Sequence, residues 1–137
     1  MNKTNFAFTI DTIEQADQII SESKKYKIKP IIHIKNYLVK GFGSDYILIF
    51  QNILIFRFGK SSFKLYVDCG YDHGLSIDLT LKKIDYLKLK ANSLILFKIK
   101  NITNKNRVLL NPSFNVVDCR NIKNIKLKIY KIYSGNR

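Results

Sequence analysis

Phe63-Lys64-Leu65-Tyr66-Val67-Asp68-Cys69-Gly70-Tyr71-Asp72-His73-Gly74-Leu75 is the stretch that decides the fold class. Residues 63–67 carry the aromatic and branched apolar side chains of a buried strand. A polar turn bounded by Gly70 and Gly74 follows. Leu75, Leu79 and Leu81 then recur at helical spacing to about residue 84, with Asp78, Lys82 and Lys83 facing water. A strand passing through a short turn into a helix is half of a βαβ unit. In an open α/β sheet, ligands bind outside such strand ends.

The same alternation continues on either side. Residues 6–10 and 28–34 read as strands, the second entered at Pro30. Between them a helix opens at Asp11-Thr12, because Asp11 with Glu14, or Thr12 with Gln15, has capping-box spacing. Ile13, Ala16 and Ile20 form its inward face, and Lys24 and Lys25 suit its C-terminal dipole. Gly41 and Gly43 then break the chain. Residues 46–58 admit two readings. Their β-formers and Gln51-Asn52 suit a hairpin. The Ser44-Asp45 cap, the closing Gly59 and the crossover that parallel strands need suit a helix, which is favoured.

Downstream, residues 86–89 form a strand and 94–102 a helix with Leu94, Phe97 and Ile102 inward. A strand at 108–110 is stopped by Asn111-Pro112. Ile122, Ile125, Ile129 and Ile132 give a terminal amphipathic helix, although residues 126–130 also alternate like a strand. The pattern predicts one α/β domain over residues 1–137. It holds about five mostly parallel strands, with helices on both faces and right-handed crossovers. A flavodoxin-like open sheet and half of a β/α barrel give the same string of elements.

Composition narrows the class. At 137 residues and 46% apolar, the chain supports a real core and is not disordered. Met1-Asn2-Lys3-Thr4-Asn5 lacks a signal peptide's apolar core, and the greasiest stretch, 46–58, is too short to span a bilayer. A soluble cytoplasmic protein is expected. Cys69 and Cys119 lack zinc-site spacing and read as buried small hydrophobes in a reducing compartment. The net charge of +14 invites weak, non-specific nucleic-acid binding. Against that, 20 lysines outnumber 4 arginines, lie scattered, and accompany the Ile, Asn, Phe and Tyr of AT-rich codons.

If the strands are parallel, their C-terminal ends bring His33, Asp68 to Gly74, Asn92 and Asn111 to one rim, with Asp118 a further candidate. Asp68, Asp72 and His73 are the candidate acid/base groups. Gly70, Tyr71, Asp72, His73, Gly74, His33, Asn92 and Asn111 are the candidate ligand contacts. The turn is neither GxGxxG nor a Walker loop. The helix after it could hold an anion, or Asp72 could fill that place as the N-cap. His33, between Ile32 and Ile34, reads more simply as a buried histidine than as a base. No Gly-x-Ser-x-Gly elbow is present. No cofactor or metal site is implied, and the residues define no specific catalytic constellation.

The run Val67-Asp68-Cys69-Gly70-Tyr71-Asp72-His73-Gly74-Leu75, with Leu79, Leu81 and Ile84 beyond it, resembles a small alphaproteobacterial family of no assigned activity. Its members carry an Asp-Cys-Gly-Asp-x-x-Gly-like turn and an Ala/Leu-rich helix. The resemblance spans residues 63–118. Tyr71 stands in place of the acid after the first Gly, and Lys, Ile and Asn replace many alanines. It implies a β/α architecture, and the codon-biased composition suits an intracellular bacterium with a reduced genome. The function expected is binding of a small anionic metabolite at the strand C-termini. The alternative is a basic nucleic-acid-binding or protein-interaction module without catalysis.

Overall fold

In the computed structural model, which describes residues 6–135, six strands and six α-helices follow one another along the chain. The first five residues, read above for a leader, lie outside the described residues. Strand β1 (Phe6–Ile10) leads into α1 (Ile13–Lys24), and Thr12 rather than Asp11 caps that helix. The Gln15 backbone N–H donates to Thr12 Oγ1 at 3.2 Å, and the Thr12 N–H donates back to Gln15 Oε1 at 3.1 Å. After β2 (Ile31–Ile34) comes a short helix, α2 (Asn36–Phe42), in the place where the glycines suggested only a break.

The ambiguous segment is a helix, α3 (Ser44–Phe58). Ile47, Phe50 and Leu54, spaced by three and four, sit in the core. A crossover is needed here because β2 and β3 (Lys64–Asp68) pair in parallel. Gly59, at φ 90°, ends the helix in a conformation that L side chains rarely adopt. Then follow α4 (His73–Leu81), β4 (Tyr86–Lys88), α5 (Ser93–Lys105), β5 (Leu109–Leu110), β6 (Asn115–Asp118) and α6 (Ile125–Ser134).

All pairings are parallel, in the order β5-β4-β3-β2-β1-β6. The α/β parallel-sheet class is as expected, with a sixth strand that the sequence did not announce. Five steps of about 4.8 Å separate the edge strands of a flat six-stranded sheet, roughly 24 Å. The chain from Leu110 to Asn115 reaches at most about 18 Å when extended. The open sheet therefore curls, and residues 111–114 cross its concave side, where Phe114 packs edge-on against Tyr66 and Tyr86 at 5.5 and 5.0 Å.

The helix layer differs from expectation in its placement. Strands β1 to β5 lie in chain order, so right-handed crossovers return every helix to the same side. The helices form one row, α6-α1-α3-α4-α5, over Phe8, Ile10, Ile32, Ile34, Leu65, Val67 and Leu87. A smaller cluster of Ala7, Ile31 and Tyr66, with Tyr86 and Phe114, fills the other face without a helix.

Helix α5 is also rotated from its predicted phase. Leu94 and Phe97 are exposed, and Ile95, Leu96 and Ile99 pack inward instead. In α4, Leu75 and Leu79 pack into the core as expected, and of the residues expected inward only Leu81 is exposed.

Candidate functional site

Strand side chains alternate between the two faces, so the residues two places beyond Ala7 and Ile31 share the concave side. They are Thr9 and His33, which the register aligns with Tyr66 and Tyr86 on one side and Asp118 on the other. One layer nearer the strand C-termini, Asp68 pairs with Lys88. The polar residues of the sheet thus gather on the face that no helix covers.

His33 lies at the centre of this row, only 6% exposed. Its Nδ1 is 2.8 Å from Thr9 Oγ1, and its ring stacks on Tyr66 at 4.7 Å. Nε2 is buried with no hydrogen-bond partner among the described residues. Burial lowers the imidazole pKa from 6.5 to about 4; Asp68 opposes that shift, while Lys35, Lys88 and Arg120 add to it. At neutral pH the ring is uncharged and a weak base. When the Thr9 hydroxyl donates to Nδ1, Nε2 carries the proton and can donate it to a ligand.

Tyr66, on which His33 stacks, lines a cavity of ≈ 390 Å³ with Lys88, Asn111, Ser113, Phe114 and Val116, among others. Asn111, at φ 52°, clamps Leu89, whose N–H donates to its Oδ1 at 2.8 Å while its Nδ2 donates to the Leu89 carbonyl at 3.1 Å. Lys35 and Lys88 form no ion pair among the described residues, and Asp118 is already engaged. Arg120 donates to Asp118 through Nε at 2.9 Å and Nη2 at 2.7 Å. That fork holds the Asp118 pKa down to about 2. Arg120 also donates to Tyr37 Oη at 3.4 Å, and the Tyr37 hydroxyl donates to Asp11.

The turn itself divides. Asp68 Oδ1 accepts from the Gly70 N–H at 2.9 Å, and Asn36 Nδ2 donates to the Asp68 carbonyl at 3.0 Å. Asp72 caps α4, accepting from the Leu75 N–H at 2.9 Å. His73 is the first residue of that helix, and Tyr71 is exposed under Lys90 Nζ, 5.8 Å from its ring centre. Asp72 and Gly74 line a second cavity of ≈ 440 Å³, with Ser44 and Asp78. Asn92 caps α5 by accepting from the Ile95 N–H at 2.9 Å.

So Gly70 stands against Asn36 of α2, and His33, Asp68 and Asn111 belong to the concave rim. Tyr71, Asp72, His73 and Gly74 lead away from it to the start of α4, and Asn92 serves α5. Sequence reasoning missed Thr9, Tyr66 and Lys88. Their signal was spacing by two from other inward residues, which becomes readable only once the strands are paired. Burial pushes the Cys69 and Cys119 thiols up to about 12 and about 11, with nearby Asp68 and Asp118 adding to each, so both are inert in this state. No cluster of three metal-ligating side chains occurs among the described residues.

The two glycines of the turn predict opposite outcomes. Gly70 has φ 60°, and an added Cβ would stand 2.9 Å from Asn36 Oδ1. Gly70→Ala is expected to cost about 2–3 kcal/mol, combining left-handed strain of about 1–2 with displacement of Asn36. Gly74 lacks a positive φ, and its added Cβ would meet only Asp72 Oδ1 at 3.6 Å. Gly74→Ala, inside the helix, is expected to stabilise by about 0.5–1 kcal/mol. Urea midpoints of the two variants check both.

Fold and site together define a small parallel α/β protein with a helix layer on one face and a polar, lysine-bearing concave face on the other. No protein-family model matches the chain, and no curated protein matches it. No single helix among the described residues is long and apolar enough to cross a membrane.

Proposed function

We propose that the protein binds a small anionic ligand on the concave face of its sheet, at the strand C-termini beside Asp68 and Gly70. The observation that carries this reading is the buried Nε2 of His33, unpartnered among the described residues, on a ring stacked against Tyr66, which lines a cavity bearing Lys88. A buried polar atom without a partner costs about 1–3 kcal/mol. A carboxylate or phosphate oxygen accepting from Nε2–H would recover that cost, with Lys88 and Lys35, which form no ion pair among the described residues, supplying charge. The cavity volume suits a metabolite. The two free, buried cysteines fit a reducing, cytoplasmic setting. Kinship with the alphaproteobacterial family is part of the same proposal and adds no reaction to it.

Thermal melts against phosphorylated and carboxylated metabolites, at about physiological salt, test the reading. A ligand at about 100 times its dissociation constant should stabilise the native state by about 2.7 kcal/mol. Lys88→Gln and His33→Gln should abolish that gain. Asp72→Ala should cost about 1 kcal/mol through the lost cap yet keep the ligand response. If Asp72→Ala loses the response and Lys88→Gln keeps it, the site is the groove at α4 instead. If only polyanions stabilise and salt removes the effect, the nucleic-acid alternative takes its place.

A further inference from the structure

Helix α3 carries apolar side chains on its outer side as well as on the side in the core. Its outer side presents Ile49, Ile53 and Phe56, spaced by four and three, with Phe56 92% exposed and Ile49 60% exposed. Phe42, 65% exposed, stacks on Tyr46 at 4.8 Å and extends this face at the start of the helix. Asp45 and Asn52 are exposed among them. A surface helix normally turns a polar side to water, and large apolar side chains gathered there mark a docking surface.

We propose that this face lies on an anionic lipid bilayer, with α3 in the plane of the interface. Charge selects that occupant. Of the acids bordering the face, Asp17 pairs with Arg57 at 2.9 Å, while Asp45 and Asp78 share Lys82 at 3.7 and 3.0 Å. Lys40 and Lys60 carry no ion pair among the described residues. The chain as a whole is +14, whatever the origin of its lysines. A second copy would bring the same charge against itself, whereas an anionic surface attracts it. The bend of 107° between α2 and α3 suits lying on a bilayer rather than crossing it.

Flotation of the full chain with vesicles of phosphatidylcholine, with or without about one-third phosphatidylserine, tests this at low and high salt. Wild type should float with the anionic vesicles at low salt and not with the neutral ones. The double variant Ile49→Gln/Phe56→Gln should bind about tenfold more weakly or worse, with an unchanged melting temperature because both side chains are exposed. Lys40→Glu/Lys60→Glu should bind at least about 25-fold more weakly, at roughly fivefold for each basic residue. Three results overturn the proposal. Wild type fails to float with anionic vesicles; the apolar variant binds as well as wild type, leaving charge alone responsible; or wild type sediments as a dimer that the apolar variant splits, which makes a second copy the occupant.

Discussion

Between pH 7 and pH 4 the protein is expected to lose about 3 kcal/mol of stability through His33 alone. The imidazole has a pKa of about 4 in the folded state, against 6.5 when unfolded. In that window the unfolded chain binds a proton that the folded chain refuses, so stability rises with pH from about 4 to 6.5 and falls as acid is added. A difference of about 2.5 pKa units at 1.36 kcal/mol each sets the magnitude. Asp118, held down to about 2, acts in a lower window, losing its contribution as pH falls from 3.8 towards 2, and leaves the His33 interval clear. Urea curves of wild type and His33→Gln at pH 7, 5.5 and about 4 should diverge by this amount, with the variant flatter. Parallel curves would mean that His33 takes up its proton while folded, and that the concave face is wetter than its burial implies. The same neutrality bears on binding: near pH 7 the ring offers an anion a hydrogen bond and not a charge.

Phe8→Ala is the second large effect, expected to cost about 3–5 kcal/mol. Phe8 is 0% exposed, and β1 lies between β2 and β6, so backbone flanks it at Ile32 and Val117. It meets Tyr133 of α6 edge-on at 6.2 Å. With paired strands on both sides, little can move in to fill the space left by the ring. Phe56→Ala, the same substitution on the open face of α3, should change stability by no more than about 0.5 kcal/mol. A shifted denaturant midpoint with unchanged slope for Phe8→Ala, beside a nearly unmoved Phe56→Ala, is the expected pair. Equal effects would mean that the α3 face is covered in solution.

Much of the local structure was legible because local physics produces it. The Thr12–Gln15 box, the end of α3 at Gly59 and the capping of α4 by Asp72 each involve groups within a few residues of one another. The parallel class was legible for a related reason, since apolar strands alternating with helices leave few other ways to bury both. Where two neighbouring positions were both apolar, sequence could not set the phase. The pattern therefore puts Leu94 and Phe97 inward, whereas Ile95, Leu96 and Ile99 are the residues packed into the core. Strand β6 carries only Val116 and Val117 between polar ends and was not anticipated, because its pairing with β1 identifies it rather than any period of its own.

The candidate site follows the same division. The sequence by itself determined that chemistry-bearing residues gather where strands end, and it named His33, Asp68, Gly70 and Asn111 among them. Only the tertiary structure decided that His33 faces Thr9 and Tyr66 and that Lys88 stands opposite Asp68. Those relations join strands that lie 20 or more residues apart in the chain, as Thr9 and His33 do at a separation of 24. Alternation along a strand sorts side chains into two faces, but pairing and crossover handedness decide which face the helices cover and which stays open to a ligand.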